Sequence, residues 1–227
     1  MKSMEIFNSI IWDYNGTLLD DLKYSVKSIN MMLSKRNMPL MSEKKYREVF
    51  SFPIKDYYEK IGFDFSDEDW EKVGLEFMAN YASLNPETSV YPGALELLDE
   101  FYGEKRQFVL SAMEQNMLEK SVDKAGLKRY FRDIAGINNL YADSKIIKGR
   151  ALFERQGLDP EKTCFIGDTS HDWEVARQLG CGCILLGCGH QSLSRLKKTE
   201  CPLVVECHAD IKKLLTSSSS GKMNKEG

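Results

Sequence analysis

The chain has no basic excess: its 31 Lys and Arg stand against 34 Asp and Glu, for a net charge of -3. Nothing long-range draws it to a polyanion, so nucleic acid is excluded as the expected partner, and any phosphate recognition has to be local. It also lacks any window approaching the ~18 apolar residues of a membrane span, including the stretch before Asp13. That excludes a membrane partner and makes the expected location cytoplasmic. There is no Cys-x-x-Cys pair. Cys164, Cys181, Cys183, Cys188, Cys201 and Cys207 fall in the last third of the chain, and no second pair faces Cys181-x-Cys183. Small buried thiols of a reduced compartment therefore explain them better than a zinc site. His171, His190 and His208 have no spacing that would gather them on one metal. No internal repeat is visible, and the glycines around Cys181 and Cys188 are not accompanied by a dinucleotide fingerprint after the first strand.

What the chain does have is enough apolar material for a core, with 42% hydrophobic and 11% aromatic residues in 227. After Asp13 the apolar residues take a helical period. Leu22, Val26, Ile29 and Leu33 share one face, Ile54, Tyr57, Tyr58 and Ile61 another, and Trp70, Val73, Phe77 and Tyr81 a third. Ser66 reads as the N-cap of that third helix, with Asp69 three residues on, and Asn85-Pro86 as its end. From Tyr91 onward, short apolar strands alternate with amphipathic helices, among them one through Ile147, Ala151 and Leu152. Repeated strand–helix alternation implies a doubly wound parallel sheet in an α/β fold. The first strand, ending at Asp13, is too short to fold alone and belongs to that sheet. The expected organisation is a core of residues 1–17 and 89–216, an inserted all-helical module over 18–88, and a flexible tail over 217–227.

In such a sheet, ligands bind beyond the carboxyl ends of the strands. The first strand delivers Asp13 and Asn15 there, the strand at 108–110 delivers Ser111 and Ala112, and the strand at 163–166 delivers Gly167-Asp168-Thr169-Ser170-His171-Asp172. A helix opening near Lys145 supplies a cation from the side. Asn15-Gly16 between apolar runs also reads as a hairpin turn, or as a bend whose Thr17 hydroxyl and N–H groups cradle an anion. Three gathered carboxylates repel one another, and a divalent cation relieves them. Oxygen ligands with a substrate phosphate suit Mg²⁺. Lys145 would then neutralise a phosphate oxygen, Ser111 would donate a hydrogen bond to the phosphoryl group, and Asp13 would attack phosphorus to form an aspartyl-phosphate that water hydrolyses.

The ordered set Asp13-x-Asn15-Gly16-Thr17-Leu18, Ser111, Lys145 and Gly167-Asp168-x-x-x-Asp172 resembles the haloacid dehalogenase superfamily of aspartate-nucleophile phosphatases. It is most similar to the phosphoglycolate-phosphatase-like branch, and the resemblance covers about residues 6 to 215. It implies a Rossmann-like core with strand order 5-4-1-2-3, Mg²⁺ dependence, and a helical cap that closes over a small phosphate ester. It further implies that Asp13, Asp168 and the backbone carbonyl of Asn15 ligate the metal, with Asp172 as a further ligand or as their support. Lys145 is preferred to Lys148 because its distance of 23 residues from Asp168 resembles the spacing in phosphatase branches of the superfamily.

One residue departs from the pattern. The family usually carries an aspartate where this chain has Asn15, and an amide cannot transfer the proton that such a carboxyl gives to the leaving oxygen. Three readings follow. The chain is a working phosphatase whose leaving group needs little protonation or in which His171 or His190 substitutes; it is a catalytically silent phosphometabolite- or partner-binding protein; or Asn15 deamidates in its Asn-Gly pair. The first is preferred, because Asp13, Ser111, Lys145 and Asp168 are all present. His190 follows a strand and could line a pocket, though a loop histidine is ordinarily solvated. In the helical module, the Phe50–Lys55 loop is the candidate specificity loop, with Phe52 as an aromatic contact and Arg47 or Lys55 as cationic ones.

Overall fold

The structure is a computed structural model that describes residues 7–84, 89–138 and 143–213. The expected helix end at Asn85-Pro86 and the expected tail lie outside the described residues. Its centre is the strand β1 (Ser9–Trp12), all four residues of which are buried. It pairs in parallel with β4 (Arg106–Glu114) on one side and β6 (Thr163–Gly167) on the other, with Trp12 opposite both Val109 and Ile166. β5 (Asp133–Ile137), β7 (Gly182–Leu186) and β8 (Val204–Val205) complete a six-stranded sheet in the order β5-β4-β1-β6-β7-β8. Read from β7, the first five core strands run 5-4-1-2-3, the order the resemblance implied, with β8 added at the edge.

Strand alternation divides the core in two. Ile10, Trp12, Val109 and Ile166 point to one face, where they meet Leu97, Leu98 and Phe101 of α5 (Pro92–Phe101) and Leu118 and Val122 of α6 (Gln115–Lys124). Ile11, Phe108, Leu110 and Phe165 point to the other, against Leu152 of α7 (Asp143–Gln156) and Val175, Ala176 and Leu179 of α8 (Ser170–Leu179). Ile147, expected on the buried face of α7, is 63% exposed. That face instead passes through Lys145, Gly149 and Leu152, because Gly149 sits so close to α8 and the sheet that a Cβ would lie 2.8 Å from Leu179 and 3.1 Å from Leu110.

Between β1 and β4 the chain leaves the sheet through β2 (Leu19–Asp20) and returns through β3 (Ser89–Val90), which pair antiparallel. The excursion holds α1 (Leu22–Lys35), α2 (Glu43–Val49), α3 (Ile54–Lys60) and α4 (Trp70–Leu84), built round their own core of Val26, Ile29, Leu33, Tyr46, Tyr58 and Val73. α4 starts later than its Ser66 signal. Asp69 is the residue that caps it, its carboxylate accepting from the Glu71 N–H at 3.0 Å while its carbonyl accepts from Val73. All six cysteines are unpaired thiols. No helix among the described residues is long and apolar enough to cross a membrane.

Candidate active site

β1 ends at Trp12, and the Asp13 N–H still donates to the Ile166 carbonyl at 2.8 Å, so Asp13 and the Gly167-Asp168 end of β6 emerge side by side. This is where the sheet's connections diverge to its two edges, the position at which doubly wound sheets bind ligands. From α7, the buried Lys145 Nζ donates to Asp13 Oδ1 at 2.5 Å and to Asp172 Oδ1 at 2.7 Å. Asp13, Asp168 and Asp172 each bring a carboxylate oxygen into a cluster whose members lie within 4.8 Å of one another, all buried.

The local sequence explains each position. Thr169 and Asp172 form a capping box at the start of α8, with Asp172 Oδ2 accepting from the Thr169 N–H and hydroxyl at 2.9 and 2.7 Å. Its other oxygen is thereby aimed at Lys145. Gly16 has φ +73°, and a Cβ there would collide with the Asp168 carboxylate and the His190 ring, so only glycine lets the chain turn so close to Asp168. Thr17 donates to Asp168 Oδ1 at 3.1 Å and the His190 N–H donates to its Oδ2 at 2.5 Å. Ser111 and Ala112 line the same cavity. They lie within β4 rather than after it, because the strand continues to Glu114 through a register shift between Leu110 and Glu114.

Electrostatics follow from burial. Burial raises the Asp13 carboxyl to about 8 against the pull of Lys145, with Asp172 and Asp168 adding to the rise. Burial likewise lifts Asp168 to about 6, opposed by His190. For Asp172 the cost of burial is outweighed by Lys145, which holds the carboxyl below its usual range. Lys145 is held above its own usual range, since Asp13 and Asp172 outweigh its desolvation.

The sequence-based candidates do not all meet. Asp13, Asn15, Ser111, Ala112, Lys145, Asp168, Asp172 and, from the helical segment, Phe52 share one cavity. The backbone N–H of Gly16 is directed to Asp21 Oδ1 at 2.8 Å and the Leu19 carbonyl, and the Thr17 hydroxyl to Asp168, so neither of these groups is turned to a phosphate. Lys55 lies outside the cavity, 3.6 Å from Glu59. Arg47 also lies outside it, donating to the carbonyls of Gly187 and Gln191. Lys148 is absent from the lining. His171 is buried against the Phe52 ring, with centroids 4.7 Å apart, and does not reach the cavity.

Asp21 and Tyr81 are the residues that sequence reasoning missed. Asn15 Nδ2 donates to Asp21 Oδ2 and to the Tyr81 hydroxyl, each at 2.9 Å, and that hydroxyl donates to Asp21 at 2.8 Å. His190, far from being solvated, is 5% exposed with Nε2 3.2 Å from Asp21 Oδ1 and Nδ1 3.2 Å from the Tyr46 hydroxyl. Burial disfavours its charge, but Asp21 raises it to about 9. Asp21 is correspondingly held low, its desolvation outweighed by His190 and by the Asn15 and Tyr81 hydrogen bonds. The one available signal was positional. Asp21 occupies the N-cap of α1, yet its side chain makes no capping bond and turns into this network instead.

Four motifs in order, on a parallel sheet with a helical excursion after its first strand, converge on one family, and the pattern of the haloacid dehalogenase-like hydrolases matches residues 10–186. The chain belongs to that family. Among its relatives, Phosphoglycolate phosphatase 1 of Pseudomonas aeruginosa is 27% identical over 214 residues, covering 89% of this chain and 77% of that protein. A Phosphoglycolate phosphatase of Pseudomonas savastanoi pv. phaseolicola is 25% identical over 222 residues, with 91% and 78% covered. The fold of this haloacid dehalogenase-like hydrolase is shared by a family member from Streptococcus pneumoniae with a TM-score of 0.79 at 16% identity, covering 92% of this chain and 98% of that one.

Proposed function

We propose that the chain is a Mg²⁺-dependent phosphatase that hydrolyses a small phosphorylated metabolite through an aspartyl-phosphate on Asp13. The observation that carries this reading is the buried cluster of Asp13, Asp168 and Asp172, with Lys145 bonded to Asp13 and Asp172. The donor set fits a hard divalent cation. Its oxygens are carboxylates, its site is buried, and two of its three acids are pushed towards the protonated state by burial and by neighbouring carboxylates. Asp13, Asp168 and the Asn15 carbonyl would hold Mg²⁺, and Asp172, already engaged by Thr169 and Lys145, would keep them in place. When bound, the cation supplies positive charge to the phosphoryl oxygens.

The protein's own residues account for the remaining steps. Asp13 attacks phosphorus as a carboxylate, the form that Lys145 favours by donating to Oδ1. Lys145 also offsets phosphoryl charge, and Ser111 donates to a phosphoryl oxygen. The helices α1 to α4 act as the cap that excludes water over the bound ester. The relatives named phosphoglycolate phosphatase support a phosphate monoester as the substrate class.

Phosphate release from a panel of monoesters with Mg²⁺ tests the reading. Turnover abolished by Asp13→Asn and by chelation is the expected outcome. Saturable ester binding with no turnover would instead select a silent binding protein.

A further inference from the structure

The cavity beside Asp13 extends well past what a phosphate fills. It encloses about 460 Å³, within the range that holds a drug-sized ligand. Away from the carboxylates its lining is aromatic and aliphatic. Phe50, Phe52, Tyr57, Trp70 and Phe77 come from the helical segment, and Met113 and Met117 from β4 and α6. Leu75, also in the lining, is left 59% exposed. An apolar surface of this kind on a helix facing a catalytic carboxylate is a seat for an apolar body.

Charge excludes the alternative. Among the described residues, the only cationic side chains in the lining are Lys145 and His190, and both are engaged, Lys145 by Asp13 and Asp172, His190 by Asp21. The lining otherwise adds Glu71 and Glu114 to the acids. A substrate with a second anionic group, such as a carboxylate, would meet repulsion without a partner.

A second, independent observation concerns the leaving group. Asn15 cannot donate a proton as an acid does, and its amide is turned to Asp21 and Tyr81. Both ring nitrogens of His190 are engaged as well, by Asp21 and by Tyr46. A departing oxygen therefore has to be stable as an anion by itself. A phenol, with an ordinary pKa of about 10, meets that requirement, whereas an aliphatic alcohol, closer to the ~15.7 of water, does not.

Resting on the phosphatase reading, we infer that the substrate is the phosphate monoester of a phenol-like alcohol, its uncharged ring seated among Phe50, Phe52, Tyr57 and Phe77. A bond forms between the Asp13 carboxylate oxygen and phosphorus as the bond from phosphorus to the aryl oxygen breaks, the electron pair leaving on a phenolate. Water then delivers its oxygen to phosphorus, Asp13 departs as carboxylate, and the proton released by water ends on the phenolate.

Steady-state kinetics of the full chain with Mg²⁺ test this on phenyl, 1-naphthyl and benzyl phosphate, 2-phosphoglycolate, and acetyl phosphate as a small acyl phosphate with a stable leaving group. The expected kcat/KM for phenyl phosphate exceeds that for benzyl phosphate about 100-fold or more, the scale of a missing general acid. KM for 1-naphthyl phosphate should lie below that for phenyl phosphate, and 2-phosphoglycolate should be the poorest ester. If acetyl phosphate is turned over but benzyl and phenyl phosphate are equivalent, or 2-phosphoglycolate is preferred, the inference fails and the phosphatase reading stands. If none of the five is turned over, both fail.

Discussion

Asn15 holds its place through two acceptors that need an amide. Its Nδ2 lies 2.9 Å from Asp21 Oδ2, and Asp21 is a carboxylate held in the charged form by His190. An aspartate at position 15 would set two buried carboxylates against each other and remove both donations, so Asn15→Asp is expected to destabilise the protein by about 1–3 kcal/mol. Exchanging the two, Asn15→Asp with Asp21→Asn, restores one donor and one acceptor across the same gap. Urea unfolding should show the double variant recovering part of that loss, and a double variant as weak as the sum of the singles would refute the pairing. Lys145 is the complementary case. Buried between Asp13 and Asp172, it leaves both carboxylates without their cation when removed, so Lys145→Met should cost about 3–5 kcal/mol in chelator. Lys148→Met, on the same helix but outside the cluster, should cost under about 0.5 kcal/mol.

At the scale of elements, the helical segment is fastened to the sheet's carboxyl edge by a small set of hydrogen bonds around the end of α2. Arg47 reaches the Gly187 and Gln191 carbonyls, while Gln191 Nε2, at 3.1 Å, and Arg195 both donate to the Phe50 carbonyl. Arg47 and the Phe50 loop drew attention in the sequence as possible substrate contacts. A cation there looks the same whether it meets a ligand or a backbone carbonyl, since the loop after β7 is 140 residues away in the chain. What the sequence did make legible was periodic: the strand–helix alternation, the buried stripe of α1, and Asp13, Lys145 and Asp168 each at the end of its expected element. What it hid was contact between distant segments, as in the Asn15, Asp21, Tyr81 and His190 network, and local register, as at Ser111 inside a strand that runs on. Arg47→Ala should therefore loosen closure rather than chemistry. With two hydrogen bonds lost at about 0.5–1.5 kcal/mol each, amide exchange across residues 46–52 should accelerate roughly tenfold, while global unfolding shifts little.

The whole molecule carries its acids at a stability cost that depends on pH, and the sign follows from the shifts. Asp13 at about 8 and Asp168 at about 6 both lie above their ordinary value of 3.8. Between pH 4 and these values the folded protein holds more protons than the unfolded chain, so its stability falls as pH rises. His190, raised from 6.5 to about 9, contributes stability that is complete below 6.5 and is lost as pH climbs through 9. Asp21 and Asp172, held below 3.8, contribute stability above that value and lose it only in acid. Metal-free protein should thus be most stable near pH 4 and lose thermal stability steadily as pH rises from there to 9. A divalent cation binds the deprotonated acids, so its stabilising effect should grow over the same interval in which the metal-free protein weakens. Thermal unfolding at pH 6, 7, 8 and 9, in chelator and in saturating Mg²⁺, measures both slopes. The two curves should diverge with rising pH, and in Asp168→Asn, which removes one of the three acids, they should diverge less. Parallel curves in the wild-type protein would show that the cluster of Asp13, Asp168 and Asp172 is not where the cation binds.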